Sequence, residues 1–545
     1  MGSAAADLLS CFRSYFCLIF FGLAAAFVAF ALILALLRWR RPWCSCEVCR
    51  AYLSSSWAGE FANLCDWFAH LLRASPTGTI HVHVLGNTVT ANPANVEYML
   101  KTRFDNFPKG KPFSSVLGDL LGRGIFNVDG DAWIFQRKMA SLELGSVSVR
   151  SYAFTIVSGE IHRRLLPLLG SVADSGRAVD LQDVFRRFAF DTICKISFGL
   201  DPGCLDLTLP ASELAAAFDA ASSLSARRGS AAVPALWKLK RLLNVGSERE
   251  LRRAIRTVNA LADAVIGQRR KLGPTGHHDL LSRFMQATLD GDDSGGSSSE
   301  NDRYLRDIVV SFLLAGRDTV ASALTTFFLL VSRHPSAAAA VREEIARAAE
   351  GAGALGGAAS YESLKGMQYV RAALYESMRL YPPVQFDSKF CAEDDVLPDG
   401  TFVSAGTRVT YHPYAMGRME AIWGPDCGEF KPERWLKDGV FAPASLFKYP
   451  VFQAGLRVCL GKELAIMEMK SVIVSVLQSF DIDVICPAGA PPKFAPGLTA
   501  SISGGLAARV RKRQSGAARG QSECVLGGWG GGGRRVISME VARAD

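Results

Sequence analysis

The chain has 545 residues, of which 49% are hydrophobic and 21% charged, with a formal net charge of +9. This is ample apolar material for a large buried core. The basic balance is mild and no Lys/Arg run is interleaved with aromatic residues, which excludes a nucleic-acid partner and suits a membrane surface or an acidic protein better.

The first element is an uncharged run from Tyr15 to Leu37, "YFCLIFFGLAAAFVAFALILALL". At helical rise it reaches about 35 Å, enough for a hydrocarbon core of about 30 Å. It is too long for a signal-peptide apolar region, and no small-residue cleavage site follows. Arg38, Arg40 and Arg41 come directly after it and only Arg13 precedes it. Positive residues stay in the cytosol, so residues 1–14 are expected in the lumen, 15–37 across the membrane, and the rest in the cytosol. Trp39 and Trp43 suit the membrane interface. Residues 38–50 are a linker. The 13 cysteines are odd in number and expected as free thiols in a reducing compartment. Cys44, Cys46 and Cys49 are spaced like half a zinc site, but no second cluster with matching spacing follows nearby. Free thiols or interface packing is expected there.

An amphipathic helix is expected before Pro76, and "TIHVHVLGNTVTANP" alternates like a pair of strands. From Trp133 to Arg379 most segments carry a 3.6-residue period. One of them, "VDLQDVFRRFAFDTICKISFG", marks an inner stripe with Leu181, Val184, Phe188 and Ile193. A long helical pattern runs from about Tyr304 to His334. The low-complexity stretches Gly291–Asp302 and Gly351–Ala359 are expected as surface loops. Short strands return at "GTFVSAGTRVTYH", so the fold class is mainly α with a minor β-sheet. After Arg513 the chain turns Gly- and Arg-rich without a period, and residues 514–545 are expected to be disordered.

The chemistry concentrates at "VFQAGLRVCLGKE", Val451–Glu463. Cys459 stands at the start of a helical pattern, whose unpaired N–H groups and dipole favour a thiolate. Gly455 and Gly461 permit sharp turns and close approach of a flat ligand. An unpaired thiolate suits a nucleophile or a metal ligand. A lone buried cysteine is more often an inert thiol, but F-x-x-G-x-R-x-C-x-G fixes the residue at four further positions around it.

That pattern resembles the haem-binding loop of cytochrome P-450 haem-thiolate monooxygenases. The resemblance implies that Cys459 is the proximal ligand of a haem b iron, that Phe452 packs beside the sulfur, and that Arg457 pairs with a propionate. Leu456 stands where plant relatives often have proline. "LLAGRDTVASALTTFF" resembles the family's central A-G-x-D-T helix: Gly316 leaves room for dioxygen, and Thr319 with Asp318 supplies protons for its cleavage, which the thiolate promotes. Taken alone, Thr319 would be bonded to its own backbone. Glu376 and Arg379 of "YESMR" stand three apart on one helical face and, with Arg434 of "FKPERW", are implied to form a buried ion-pair network. Trp133 and Arg137 stand four apart and are implied to contact the propionates. The motifs occur in the family's order, and the resemblance covers about Ala51 to Arg513: a cytochrome P-450 fold behind one transmembrane helix.

Longer phrases such as "NFPKGKPFSSVLGDLLGRGIFNVDGDAWIFQRK" and "LYESMRLYPPVQFDSKF" resemble the plant fatty-acid ω-hydroxylases, and most of all the subgroup that oxidises jasmonoyl-isoleucine at its terminal carbon toward the acid. The implied substrate is a small amphipathic carboxylate. Phe113, Val116, Leu117, Val384, Phe386 and Leu498 are candidate channel residues, and Lys109, Lys111 or Arg123 candidate carboxylate partners. No G-x-G-x-x-G or flavin-like unit is present, so electrons are expected from a membrane-bound NADPH–cytochrome P-450 reductase attracted to a basic face near Arg457 and Lys462. The resemblance places the protein in the endoplasmic reticulum membrane. Competing readings are a fatty-acid ω-hydroxylase for cutin- or suberin-type lipids, a reductase-independent enzyme rearranging lipid hydroperoxides, and a haem-binding sensor. Neither of the last two needs Asp318 and Thr319.

Overall fold

The computed structural model describes residues 16, 19–33, 44–206, 213–273, 279–290, 298–351, 360–486 and 489–513. Within the expected anchor, Ile19–Ile33 forms an apolar helix, α1, with Phe20, Phe21 and Phe27 exposed. Arg13, Arg38, Trp39, Arg40, Arg41 and Trp43 lie outside the described residues, as does the tail 514–545. The folded body starts earlier than the expected boundary. Helix α2 spans Glu47–Ser54 and buries Cys49. Helix α3 (Leu64–Ala74) is the amphipathic helix expected before Pro76.

The strand pair forms as the alternation requires. Strands β1 (Thr79–Val82) and β2 (Asn87–Thr90) run antiparallel with Thr79 opposite Thr90. Helices α4 (Gly110–Leu121) and α5 (Gly130–Gly145) follow. Strand β3 (Val179–Asp180) leads into α6 (Leu181–Phe198), whose N-cap Asp180 accepts from the Gln182 amide. Helix α6 differs from its one-stripe reading. Leu181, Val184, Phe188 and Ile193 are buried as expected, but so are Gln182, Phe185, Phe190, Asp191 and Thr192. The helix is enclosed because it packs against the helix Ser298–Arg333 as well as against Val147–Glu160. Helix α7 covers Glu213–Gly229.

Helix α8 runs from Ser298 to Arg333, 36 residues or about 54 Å. It begins six residues before the expected start and takes up the end of the expected loop, of which 291–297 lie outside the described residues. Pro335 stops it, since the α conformation is disfavoured before a proline. Its segment Asp302–Arg333 is long and apolar enough to cross a membrane, but it is mostly buried inside the protein and is a core helix. Of the second expected loop, 352–359 lie outside the described residues and Gly351 closes the helix Pro335–Gly351.

Helix α9 (Gln368–Leu380) precedes β4 (Asp387–Phe390) and β5 (Arg408–Tyr411). The four-stranded sheet has the order β1-β2-β5-β4, with β2 and β5 parallel and Asn87 opposite Arg408. Helix α10 (Lys462–Ser479) runs into β6 (Phe480–Val484), which pairs with β7 (Ala507–Lys512), and β7 with β3. The largest apolar cluster joins α6, α8, α9 and α10.

The α6–α8 contact is the centre of that core. Phe185 stacks on Phe328 with ring centroids 5.3 Å apart, and Phe185 is fully buried. Phe185→Ala is expected to cost about 3–5 kcal/mol, whereas Leu142→Ala, at an exposed site, changes stability by at most about 0.5 kcal/mol; thermal unfolding of both variants checks this.

Candidate active site

Helix α8, the four-stranded sheet and the loop before α10 enclose a cavity of about 1260 Å³. Ordinary ligand pockets hold about 300–1,000 Å³, so a flat macrocycle and a second molecule both fit. The loop is built from two short 3-10 turns, Pro450–Phe452 and Gly455–Arg457. The Cys459 amide donates to the Phe452 carbonyl at 2.8 Å and closes the loop on itself. Gly455 has φ +60°, and a Cβ there would lie 2.0 Å from the Leu100 carbonyl oxygen. No other residue fits. Gly461 is different: its φ is −85°, and a Cβ would meet nothing within 4 Å. Its contribution is its amide, which hydrogen-bonds the Cys459 sulfur.

Cys459 has accessible surface, but that surface opens into the cavity and protein encloses the rest. Burial raises its pKa, against the Gly461 amide and the charges of Arg137 and Lys462. The helix start therefore does not hold a thiolate unaided. A bound metal cation would complete the ionisation, since a coordinating thiol is deprotonated outright.

Two guanidinium groups line the same cavity as the sulfur. Arg137 lines the cavity and donates to the Val458 carbonyl. Arg457 pairs with Asp129 at 2.6 Å and donates to the Val128 carbonyl at 3.1 Å. The buried Arg457 Nε meets no acceptor among the described residues. An orphaned cationic N–H on a cavity wall beside a second arginine fits the carboxylates of a haem. Trp133 corrects its expected role: it is absent from the cavity wall and lies under the Arg457 guanidinium, 4.6 Å from ring to cation. It positions Arg457. Phe452 lines the cavity and carries Lys462 over its ring at 5.8 Å. Arg457 is buried and Lys462 half-buried on that ring, so neither forms the expected basic surface.

Helix α8 presents Ala315, Gly316 and Thr319 to the cavity, but not Asp318. Asp318 pairs with Arg317 at 3.0 Å, and Arg317 with Asp219 at 2.5 Å. Burial pushes the Asp318 pKa up, with Arg317 opposing. The Thr319 hydroxyl donates to the Ala315 carbonyl at 2.6 Å, the helical back-bond. Its oxygen remains available as an acceptor. Gly316 has a packing reason beyond room for dioxygen: a Cβ would lie 2.4 Å from Ile193 Cδ1 and Cγ1 of α6.

The buried ion-pair network forms. Arg379 grips Glu376 through Nε at 2.7 Å and Nη2 at 2.8 Å. Arg434 Nε reaches Glu376 at 3.4 Å. The Trp435 indole and the Lys431 amide donate to the same carboxylate, each at 2.9 Å.

Phe113, Val116, Leu117, Val384, Phe386 and Leu498 all line the cavity. The expected carboxylate partners do not serve. Lys111 and Arg123 are absent from the wall. Lys109 lies on it but is held by Asp387 at 2.6 Å, whose other oxygen takes Lys389 at 2.8 Å. The residue that sequence reasoning missed is Arg408, the first residue of β5. It lines the cavity, donates to Ser388 Oγ at 2.9 Å and to the Gly229 carbonyl at 2.8 Å, and makes no ion pair among the described residues. Burial pushes its pKa below the usual guanidinium range, with Tyr52 and Asp387 opposing. A cation opening a strand of buried residues was the only signal available. Glu468 was missed too. It lines the cavity, its Oε1 meets no donor among the described residues, and burial pushes its pKa up to about 8.

Gly316→Ala is expected to cost about 1–3 kcal/mol and to be nearly neutral in an Ile193→Ala background; a double-mutant cycle by thermal unfolding measures the coupling. The folded state holds the Glu468 proton more tightly than the unfolded chain, so its contribution to stability is complete below about pH 4.5 and is lost as pH rises through about 8. Unfolding temperature is expected to fall more steeply between about pH 4.5 and 8 in the native chain than in Glu468→Gln.

Comparison with known proteins agrees with this geometry. The cytochrome P450 family model matches residues 72–504. "Cytochrome P450 94C1" of Arabidopsis thaliana is 58% identical over 489 residues, covering 89% of this chain and 97% of the relative. "Cytochrome P450 94B3" of the same plant is 49% identical, covering 83% of this chain and 88% of the relative. "Cytochrome P450 94A2" of Vicia sativa is 41% identical with the same coverage. Among solved structures, the cytochrome P450DA heme domain superposes with a TM-score of 0.64 at 23% identity, over 78% of this chain and 88% of that one, a likeness of fold. The chain belongs to the cytochrome P450 family and is a monooxygenase that holds haem b and takes its electrons from a reductase using NADPH.

Proposed function

We propose that the protein oxidises the terminal carbon of an apolar chain whose other end carries a carboxylate, and that its physiological substrate is jasmonoyl-isoleucine, taken from the 12-hydroxy to the 12-carboxy form in hormone catabolism. The observation that carries this reading is Arg408. It is a half-buried guanidinium with no ionic partner among the described residues, on the wall of a cavity otherwise lined largely by apolar side chains such as Phe113, Val116, Val384 and Leu498. A carboxylate bound there relieves the desolvated charge, since hydrogen bonds to charged groups are worth about 1.5–3 kcal/mol. The substrate is then held by its polar end on the sheet wall while its terminal carbon is free to reach the opposite wall near Cys459. Orientation of this kind decides selectivity, because internal C–H bonds are the intrinsically weaker targets.

Haem b held here would supply dioxygen activation: with two electrons from the reductase and two protons, one oxygen atom would enter the substrate and the other leave as water. The protein's own part is positional. Cys459 ligates, Arg137 and Arg457 hold the propionates, and Phe452 shields the sulfur. Thr319 accepts a hydrogen bond at the dioxygen side, and Asp318 stands one residue away as a proton reserve. The relatives' similarity over nearly the whole chain supports the class of reaction. The exposed apolar helix α1 supports a single-pass anchor with the body on the cytosolic face of the endoplasmic reticulum, beside a membrane-bound NADPH–cytochrome P-450 reductase. Free fatty acids used in cutin or suberin are the second reading, favoured by the same apolar walls.

Membranes containing the protein, reductase and NADPH, given 12-hydroxy-jasmonoyl-isoleucine or lauric acid, are expected to convert the first to its carboxy form with the higher kcat/KM, as read by mass spectrometry. A clear preference for lauric acid assigns the protein to the second reading. Arg408→Gln is expected to raise KM for the acid about 10- to 100-fold, with little change for its methyl ester and an unchanged reduced carbon-monoxide spectrum. Equal effects on acid and ester would remove Arg408 from substrate recognition.

A further inference from the structure

A second constellation lies outside the cavity. Cys44, Cys46 and Cys49 stand where α2 begins, and the turn between β1 and β2 brings His83 to them. All four ligand atoms lie within 4.8 Å of one another. We propose that these four residues bind a structural zinc ion that fastens the segment after the apolar helix α1 to the first sheet.

The half-site in the sequence lacked a partner because the fourth ligand is far along the chain and is a histidine. Cys44 Sγ lies 3.6 Å from His83 Nδ1. A tetrahedron with Zn–S of about 2.3 Å and Zn–N of about 2.0–2.1 Å has an S···N edge of about 3.6 Å and an S···S edge of about 3.8 Å. One edge is thus already at its liganded length, and the others close by at most about 1 Å. The donor set of three thiols and one imidazole is a closed structural zinc set, and calcium and magnesium require oxygen ligands. The Val84 amide donates to Cys49 Sγ at 3.4 Å, the outer hydrogen bond that orients a metal-bound thiolate. The local fold presets the thiols: Cys46 is the extended N-cap of α2 and Cys49 lies in its first turn, fully buried.

The position gives the ion a task. The same helix places Tyr52 and Leu53 on the cavity wall, and the chain beyond it Ser55 and Trp57. The Tyr52 hydroxyl donates to the Ser230 carbonyl at 2.8 Å across the cavity mouth. Fixing the start of α2 to the β1–β2 turn holds this wall against the sheet that carries Arg408.

The full chain, purified in detergent with its haem from zinc-supplemented cells, is expected to contain about one zinc ion per chain beside its haem iron by elemental mass spectrometry. Zinc-edge absorption is expected to show three sulfurs at about 2.3 Å and one nitrogen at about 2.0–2.1 Å. Cys49→Ser and His83→Asn are each expected to lose the zinc and keep the carbon-monoxide spectrum. If a variant does not accumulate, the native protein decides: alkylation of Cys44, Cys46 and Cys49 is expected only after a zinc chelator is added. Zinc absent from the native protein, zinc retained in both variants, alkylation independent of chelator, or a disulfide among the three cysteines each overturns the proposal.

Discussion

The carboxylate of Glu376 is the constraint on which the haem side of the protein depends. It is fully buried and takes hydrogen bonds from Arg379, Arg434, the Trp435 indole and the Lys431 amide. Arg379 uses its remaining donors on the carbonyls of Gly417, Cys427 and Glu429. One acid thereby ties α9 to the irregular chain from Gly417 to Trp435, a stretch with little regular structure to hold it. A missing member would strand a charge in the core at about 3–5 kcal/mol. The network reaches the cysteine loop through one further bond, from the Tyr449 hydroxyl to the Tyr375 carbonyl at 3.0 Å. Gly417 completes it, since a Cβ there would lie 2.1 Å from the Arg379 carbonyl oxygen.

The cavity built on this base separates its charges. On the haem side, Arg137 and Arg457 line the cavity, with Asp129 and the face of Trp133 holding Arg457 in place. On the sheet side, Lys109 and Lys389 share the single carboxylate of Asp387, and Arg408 makes no ion pair among the described residues. Between them the walls are largely apolar, which strengthens each electrostatic contact by excluding water. The same desolvation leaves the Cys459 thiol and the Glu468 carboxyl reluctant to ionise unaided.

Much of the architecture was legible because periodicity is local. The β1–β2 pair, α3, the run of helices and the return to strands at β5 follow from spacing alone. The cysteine loop was legible because its chemistry needs fixed residue types at fixed intervals. Where the reading went astray, the deciding contact came from a distant segment. The one-stripe reading of α6 missed that two other helices enclose it. That Trp133 lies under Arg457 and that Asp318 pairs with Arg317 could not be read from spacing. Lys111 and Arg123 were equal to Lys109 as candidates in sequence, and none of the three is an unpaired cation on the wall.

The sequence by itself determined the apolar first helix, the mainly helical fold, the haem-thiolate loop and the order of the motifs around it. These are written in neighbouring residues, where spacing fixes which side chains share a face or a turn. Only the tertiary structure decided that Gly316 makes room for Ile193, that Arg408 stands on the cavity wall with no ion pair among the described residues, and that His83 joins the cysteine cluster at the start of α2. Each of these depends on which partner arrives from far along the chain, and spacing within one segment carries no record of what folds against it.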